Sequence, residues 1–364
     1  MLYHLLYPLR DLWFGFNVFK YITFRAVSAS ITAFLISIIV GPILIKKLKE
    51  MKVVEVVLRP DAPAIDPHFK DKADTPTMGG VLIISAIVVS MLLWADIFNK
   101  YVIISIVGVL WLGAIGFMDD YAKLTISGKK RGLGARVKFI AQMFLGVLVG
   151  VYLYFSAPDF PKLIEVPFFK DIFLNLGMLY ILFVALVVVG SSNAVNLTDG
   201  LDGLAIGCVM IMTFSYGVMS YIAGNFQFSN YLNVTYIPGS GELTVLCAAI
   251  IGSSLGFLWF NSYPATVFMG DTGSLALGGA IGLLAVLIKK ELLLVMVGGI
   301  FVLEALSVII QVFHFKLTKQ RVFLMAPFHH HLQLSGWKES KITIRMWIIA
   351  IILALASLAT LKLR

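Results

Sequence analysis

Charged residues are scarce in this sequence. Asp, Glu, Lys and Arg make up 13% of its 364 residues, whereas an ordinary soluble domain has roughly 25%. Hydrophobic residues make up 59%, so a water-soluble fold would struggle to cover its surface with polar groups. The composition therefore predicts an integral membrane protein, in which glycine and other small residues let helices pack closely.

Cysteine is scarce as well. Cys208 and Cys247 both lie in apolar runs, so the sequence holds no disulfide framework and no paired-cysteine metal or redox motif. The N-terminal segment, residues 1–25, mixes aromatic residues with charges and lacks a small-residue cleavage site, which argues against a cleaved signal peptide. We expect this segment to lie at the membrane interface before the first span.

Long apolar runs, in contrast, are abundant. A helix needs about 20 mostly apolar residues to cross a bilayer, and the sequence predicts an all-α polytopic membrane protein with about ten such helices in a single domain over residues 1–364. A tight turn at Lys289–Glu291 separates the eighth predicted span from the ninth. The predicted spans are residues 26–45, 78–95, 101–118, 137–156, 174–190, 203–222, 243–261, 273–288, 292–315 and 342–361.

The basic residues are distributed unevenly among the connecting loops. The loops after the first, third and ninth predicted spans, together with the first turn of the span that follows each, hold 19 of the 29 Lys and Arg residues. By the positive-inside rule these loops face the cytoplasm, and both chain termini then face the outer side. The formal net charge of +9 is thereby explained by membrane topology, and we expect no nucleic-acid partner.

The remaining polar residues form four clusters, all on the predicted cytoplasmic side. Each cluster alone has a simple structural explanation, such as a solvated helix end, an N-cap or a turn. If Thr198 or Asp199 begins a helix, Asp199 and Asp202 share its first turn. The common side predicts one composite site formed by cytoplasmic loops. The clusters are Asp119–Asp120, Asn196 with Asp199 and Asp202, Asn261 with Asp271, and His329–His331.

The residue types in these clusters favour phosphoryl transfer. Carboxylates bind Mg²⁺, which also binds substrate phosphates, and lysines in the same loops, Lys72, Lys123 and Lys138, neutralise further charge. A lipid phosphate acceptor would explain why such a site lies at a bilayer surface. Three adjacent histidines cannot all face one point, so a mononuclear zinc site formed by His329–His331 alone is disfavoured.

Five short strings stand in order along essentially the whole chain: TPTMGG (75–80), DDYAK (119–123), NAVNLTDGLDGLA (193–205), FLWFNSYPA followed by FMGDTGSL (257–275), and APFHHH (326–331). Together they resemble the bacterial phospho-N-acetylmuramoyl-pentapeptide transferase family, within the polyprenyl-phosphate N-acetylhexosamine-1-phosphate transferase superfamily. The resemblance implies transfer of phospho-N-acetylmuramoyl-pentapeptide from UDP-N-acetylmuramoyl-pentapeptide to undecaprenyl phosphate, with lipid I and UMP as products. It also implies Mg²⁺ as cofactor and a location in the bacterial inner membrane.

The same resemblance implies roles for individual residues. Asp271 would be a magnesium ligand, and Asp119 and Asp120 would serve the lipid phosphate and the metal region. His330 would join them as a catalytic group. The substrate-binding residues would be Lys123 and Lys138 near the phosphates, His329 and His331, and a uridine-diphosphate pocket of Lys72, Asn196, Asp199, Asp202, Asn261 and Phe268.

Several alternatives stay open. Asp119 would deprotonate the lipid phosphate for direct attack, or an aspartate would act as a covalent nucleophile. A related enzyme would transfer N-acetylglucosamine phosphate, although APFHHH favours the muramoyl-pentapeptide donor. An ion-coupled transporter is the alternative from another class, because polar residues lie within the ninth predicted span; we favour interhelical hydrogen bonding for them. They are Glu304, Gln311 and His314. Apolar helix faces in a bilayer are also compatible with a homodimer.

Overall fold

The computed structural model describes residues 1–51, 53, 72, 74–125, 132–156, 160–169 and 172–362. Within these ranges the chain is almost entirely helical. The long helices are α1 (Ile22–Glu50), α2 (Gly80–Trp94), α3 (Lys100–Thr125), α4 (Ala135–Val151), α5 (Leu179–Thr198), α6 (Leu204–Ala223), α7 (Leu243–Asn261), α8 (Gly270–Leu287), α9 (Gly299–Thr318) and α10 (Glu339–Ala359). Six of the basic loop residues counted above lie outside the described residues: Lys52, Arg59, Lys70, Lys129, Lys130 and Arg131.

Short elements connect the long helices. Short α-helices cover Leu2–Leu6, Phe226–Leu232, Leu294–Val297 and Phe328–Leu334, 3₁₀ turns cover Tyr7–Asp11, Phe14–Lys20, Ser240–Glu242 and Thr360–Lys362, and a π turn covers Tyr152–Ser156. Two strands, β1 (Ile164–Glu165) and β2 (Phe173–Leu174), pair antiparallel with Ile164 opposite Leu174. The N-terminal segment is therefore a series of short helical turns, and α1 already begins at Ile22.

Most of the long helices can cross a membrane. By length and composition, nine helices in the described part of the chain qualify, namely α1 and α3 to α10. The apolar helix α2 has 15 residues, which extend only about 22 Å at 1.5 Å per residue, less than the roughly 30 Å of a hydrocarbon core. The prediction of an all-α polytopic membrane protein is confirmed, and the predicted span 78–95 is shortened to α2.

Two helix ends differ from the predicted spans in a way that affects the site. Helix α3 continues to Thr125 instead of ending at 118, so Asp119 and Asp120 lie inside its last two turns. Helix α5 covers Leu179–Thr198 rather than 174–190, so Asn196 lies inside the helix and not after it. The added residues, 119–125 and 191–198, contain neither glycine nor proline, so nothing in them interrupts a helix.

The connection between α5 and α6 also differs from the prediction. Asp199 is the C-cap of α5, and α6 begins only at Leu204, after Gly203 with a φ of 73°. Glycine adopts this left-handed conformation without a Cβ clash, which allows the chain to turn here. The expectation that Asp199 and Asp202 share the first turn of one helix is therefore wrong.

Helix α8 is the centre of the bundle. Every residue from Thr272 to Leu287 is buried, and the helix packs against α3 and α5. It also touches α2 so closely that a Cβ on Gly80 would lie 2.1 Å from the backbone nitrogen of Gly273, a contact that only small residues permit. The helix carries Asp271 at one end of the bundle and leads into the Lys289–Glu291 turn at the other.

Candidate active site

Asp120 holds the N-terminus of α8. One of its carboxylate oxygens accepts a hydrogen bond from the N–H of Asp271 at 3.1 Å, and the other accepts from the N–H and the hydroxyl of Thr272 at 2.9 and 2.7 Å. These amides belong to the first turn of α8, where backbone N–H groups have no partner within the helix. Asp120, on α3, therefore acts as a cap for a helix far away in sequence, and it fixes the position of Asp271 in the first turn of that helix.

Asp119 faces a different set of donors. Its Oδ1 accepts a hydrogen bond from the N–H of Leu133 at 2.7 Å, and its Oδ2 lies 2.8 Å from the ammonium of Lys123 and 3.3 Å from that of Lys138. The side chain is 1% exposed. Adjacent residues on one helix thus differ in their main contacts, since Asp119 meets both lysines while Asp120 caps α8 and lies 3.4 Å from Lys123.

The same two lysines also reach Asp271. Lys123 Nζ lies 3.0 Å from Asp271 Oδ1, and Lys138 Nζ lies 3.1 Å from Asp271 Oδ2. The side chains of Lys123 and Lys138 are 41% and 24% exposed. Two ammonium groups therefore lie between two carboxylates at an accessible end of the bundle. We call these five residues, Asp119, Asp120, Lys123, Lys138 and Asp271, the acid–lysine cluster.

The acid–lysine cluster has the donors that a divalent cation needs. Among the described residues, carboxylate oxygens of Asp119, Asp120 and Asp271 lie within 4.8 Å of one another. Three carboxylates form an all-oxygen donor set, which suits a hard cation such as Mg²⁺ or Ca²⁺. Both oxygens of Asp120 accept hydrogen bonds from α8, and one oxygen of Asp119 accepts a hydrogen bond from the N–H of Leu133. Asp271, whose two oxygens face the partly exposed lysines, is therefore the best placed ligand.

A second group of charges forms around Lys72. Its ammonium lies 2.7 Å from Asp202 Oδ1 and 2.7 Å from Glu339 Oε1. The other oxygen of Asp202 accepts a hydrogen bond from the N–H of Ala265 at 3.0 Å. We call Lys72, Asp202 and Glu339 the Lys72 cluster. Glu339 is absent from the residues that the sequence analysis selected.

The connection between α7 and α8 links the two clusters. Asn261 accepts a hydrogen bond from the N–H of Gly203 at 3.1 Å and donates to the carbonyl of Val267 at 2.9 Å. The backbone of Phe268 pairs with the TPTMGG segment, donating to Pro76 and accepting from Gly79, both at 2.8 Å. Residues 265–271 therefore run from the Lys72 cluster to the acid–lysine cluster, and four of the five resembling strings meet at one end of the bundle.

The three adjacent histidines have different hydrogen-bond partners. His329 is fully buried, and its Nδ1 lies 3.1 Å from Glu304 Oε2. His330 pairs with Gln333 at 2.8 Å, whereas the Nδ1 of His331 accepts a hydrogen bond from the N–H of Leu324 at 3.3 Å. The rings of His329 and His330 touch, with centroids 4.1 Å apart, while His331 packs against Phe323 and Phe328. As expected, these contacts do not gather all three side chains at one point.

His329 is the histidine that reaches the other strings. A Cβ on Gly200 would lie 2.2 Å from His329 Nε2, so this ring packs directly against the turn after α5. Asn196 and Asp199 end the same helix, and the N–H of Asp199 bonds to the carbonyl of Asn196 at 3.2 Å. His329 thus links the histidine segment to the turn that leads from α5 to Asp202 of the Lys72 cluster.

Comparison with known proteins identifies the family of the chain. A family model described as Glycosyl transferase family 4 matches residues 102–289, and Phospho-N-acetylmuramoyl-pentapeptide-transferase signature 1 matches residues 72–84. Proteins named phospho-N-acetylmuramoyl-pentapeptide-transferase align over 100% of both chains, with 54% identity in Citrifermentans bemidjiense, 54% in Geobacter sp. (strain M21) and 50% in Endomicrobium trichonymphae. The chain belongs to the phospho-N-acetylmuramoyl-pentapeptide transferase family.

As a member of the phospho-N-acetylmuramoyl-pentapeptide transferase family, the chain is an enzyme, which disfavours the transporter alternative. The polar residues of α9 also have local partners. Glu304 binds His329, Gln311 accepts hydrogen bonds from the N–H groups of residues 322 and 323 at 3.0 and 2.9 Å, and His314 lies 3.0 Å from the carbonyl of Gln320. Glu304 thus bonds to another helix, as expected, whereas, among the described residues, Gln311 and His314 bond to the loop that follows α9 and not to another helix.

Proposed function

We propose that this member of the phospho-N-acetylmuramoyl-pentapeptide transferase family transfers phospho-N-acetylmuramoyl-pentapeptide from UDP-N-acetylmuramoyl-pentapeptide to undecaprenyl phosphate, with lipid I and UMP as products. Full-length similarity to proteins of that name supports the assignment. The observation that carries it in the structure is the accessible acid–lysine cluster at one end of a membrane bundle. A lipid phosphate and a soluble nucleotide can meet only where the membrane and water meet.

We assign that end of the bundle to the cytoplasmic side. Lys46, Lys47 and Lys49 lie in the last turns of α1, at the end where α1 leads toward Lys72. The positive-inside rule places such basic ends in the cytoplasm.

The segment that leads into α2 bonds to the segment after α1 through the Thr77 N–H and the Val53 carbonyl, and α3 ends beside the start of α8. We therefore infer that α2 also crosses. With ten crossings, both termini lie on the outer side. Whether the protein forms a homodimer is tested separately by the mass of the detergent-solubilised protein.

In the proposed reaction, Asp271 would hold Mg²⁺, and Asp119 beside it is left to act as the base. The ion, when bound, supplies positive charge that neutralises the donor diphosphate. Lys123 and Lys138 bind phosphate oxygens, because their ammonium groups are partly exposed beside the two carboxylates. Asp120 positions Asp271 by capping α8.

Asp119 takes the proton of the lipid phosphate in the direct route. The freed phosphate oxygen bonds to the sugar-linked phosphorus of the donor, the bond from that phosphorus to the UMP oxygen breaks, and UMP leaves. In the covalent route, an aspartate oxygen bonds to that phosphorus as UMP leaves, and an oxygen of the lipid phosphate then displaces the aspartate to give lipid I. Most of the rate enhancement comes from positioning the two phosphates and stabilising their charge.

The uridine nucleotide occupies the neighbourhood of the Lys72 cluster. Lys72 and Asp202 form its charged part, and Asn261 and Phe268 shape the connection that leads to Asp271. Asn196 and Asp199 border this region from the end of α5. His329, His330 and His331 close the site from the α9–α10 connection, with His330 as the proposed catalytic member.

One assay tests the assignment. Purified protein should release UMP from UDP-N-acetylmuramoyl-pentapeptide only when both Mg²⁺ and undecaprenyl phosphate are present. If UMP were released from UDP-N-acetylglucosamine but not from UDP-N-acetylmuramoyl-pentapeptide, the protein would instead be the related enzyme that transfers N-acetylglucosamine phosphate. Ion flux into liposomes without UMP release would replace the enzyme with a transporter.

A further inference from the structure

Glu339 is the first residue of α10 and contacts Lys72 with both carboxylate oxygens. The distances from Lys72 Nζ to Glu339 Oε1 and Oε2 are 2.7 and 2.9 Å. Both side chains are 10% exposed. A carboxylate in the first turn of a helix is stabilised by the helix dipole. Glu339 is therefore a fixed anion that faces a lysine of the nucleotide region from the last helix of the chain.

Glu339 also holds the backbone of Asp202. Its Oε1 accepts a hydrogen bond from the N–H of Asp202 at 2.7 Å. One turn further along α10, the hydroxyl of Thr343 donates to the carbonyl of Asp202 at 3.2 Å. Helix α10 thus binds both the N–H and the carbonyl of Asp202. Glu339 itself joins three segments of the chain that are far apart in sequence.

The ammonium of Lys72 lies between two carboxylates, each 2.7 Å away. A lysine side chain is long and flexible, and its ammonium samples more orientations when one of the carboxylates that restrain it is lost. Loss of the Glu339 charge would leave Asp202 as the remaining member of the Lys72 cluster that restrains it. The orientation of the ammonium therefore depends on Glu339.

We propose that Glu339 is a positioning residue for the uridine-nucleotide site, which holds the Lys72 ammonium and the Asp202 backbone in the arrangement that receives the donor diphosphate. The proposal rests on the proposed function, which assigns Lys72 to that site. Glu339 acts through Lys72. Its effect therefore falls on donor affinity, and it requires that lysine.

A double-mutant cycle tests this dependence. Glu339→Gln keeps an oxygen that can accept from the Asp202 N–H, and it removes the negative charge that faces the Lys72 ammonium. We expect it to raise the KM for the donor about fivefold to tenfold, comparable to the loss of one hydrogen bond to a charged group, with kcat and the KM for undecaprenyl phosphate nearly unchanged. In a Lys72→Met background the same substitution should change the donor KM less than about twofold, because contacting residues are not additive.

Ser340→Ala is the matched control, since Ser340 is exposed in the same helical turn, and it should behave as wild type. An effect of Glu339→Gln that is equal with and without Lys72 would show a general structural role and overturn the proposal. An equal fall in kcat and in both substrate affinities would do the same, as would an unchanged donor KM.

Calorimetric binding of UDP to the detergent-solubilised protein separates this proposal from the proposed function. The UDP affinities of the wild type, the two single variants and the double variant are compared. If Glu339→Gln weakens UDP binding only when Lys72 is present, and the wild type releases no UMP from the donor, the donor assignment fails and the role of Glu339 stands. If the wild type releases UMP while Glu339→Gln binds UDP and the donor as tightly as wild type, only the role of Glu339 fails.

Discussion

The two ends of α8 hold the same kinds of residue in opposite settings. At the N-terminal end, the side chains of Lys123 and Asp271 lie 3.0 Å apart and are 41% and 14% exposed. Beyond the C-terminal end, Lys289 and Glu291 lie 2.9 Å apart and are both 0% exposed. Charges that must meet a substrate have to stay accessible, whereas a sealed pair can only hold the chain together. Exposure, and not residue type, therefore distinguishes the candidate site from a structural ion pair.

The sealed end joins several elements. Lys290 forms an ion pair with Glu165 of β1, which also accepts a hydrogen bond from the N–H of Thr235 at 3.1 Å. The hydroxyl of Tyr180 on α5 donates to Glu291 at 3.1 Å. These contacts fix the turn after α8 to β1 and to α5. We call Lys289, Lys290, Glu291 and Glu165 the sealed cluster.

The largest expected effect comes from the open end. Asp271→Asn removes a proposed metal ligand and the charge that two lysines face, so kcat should fall by about a thousandfold or more, at the upper end for loss of one electrostatic group. Thermal unfolding should stay close to wild type, because Asp120 still caps α8 through backbone groups. UMP release at saturating Mg²⁺ measures the first effect. Wild-type turnover of this variant would remove Asp271 from the metal site.

The sealed cluster should respond in the opposite way. Lys289→Met leaves Glu291 buried without its ammonium, which typically costs about 3 kcal/mol or more. The free energy of unfolding in detergent should fall by that amount, while the kcat of the folded protein stays near wild type. The double variant Lys289→Met with Glu291→Leu removes both charges and should recover part of the loss. A loss of kcat without a loss of stability would mean that the two ends are coupled.

Asp120 sharpens the comparison because it lies at the open end and yet has structural contacts. Asp120→Asn keeps one acceptor oxygen but turns an amide toward the N–H groups of α8. We expect a stability loss of about 1–2 kcal/mol, as for a lost helix cap, together with a smaller fall in kcat than in Asp271→Asn. Thermal unfolding and UMP release measured on the same preparation test both parts. An inactive variant with unchanged stability would instead place Asp120 in contact with the metal or substrate.

The sequence predicts the site better than it predicts the contacts within it. Asp119, Asp120 and Asp271 are recognisable because they interrupt apolar runs on one predicted side, and the structure brings them within 4.8 Å. Glu339 has no such signal, since a single acid near a helix start is common and its partner Lys72 is 267 residues away. The sealed cluster is equally hidden, because a Lys-Lys-Glu turn resembles any solvated loop until its burial is known.

The smallest expected effect is a pH dependence of the sealed cluster. Burial lowers the pKa of Lys289 from its ordinary value of 10.5, while the nearby Glu291 carboxylate opposes that shift. Burial also raises the pKa of Glu291, so the two groups titrate as a pair. Glu291→Gln removes the opposing charge and lowers the pKa of Lys289 further. The unfolded chain then binds more protons than the native protein between the lowered pKa and 10.5.

Stability of the Glu291→Gln variant should therefore rise with pH across this window, by at most about 1.4 kcal/mol per pH unit for one proton. Groups common to both proteins cancel when the variant is compared with wild type, so the difference between their unfolding free energies from pH 7 to 10 is the measurement. This difference should become smaller as pH rises, because the Glu291 carboxylate stabilises the charged form of Lys289 and not the neutral form. A constant difference would mean that Lys289 keeps its proton in the sealed cluster, and the cost of the substitution would then come from packing and hydrogen bonds alone.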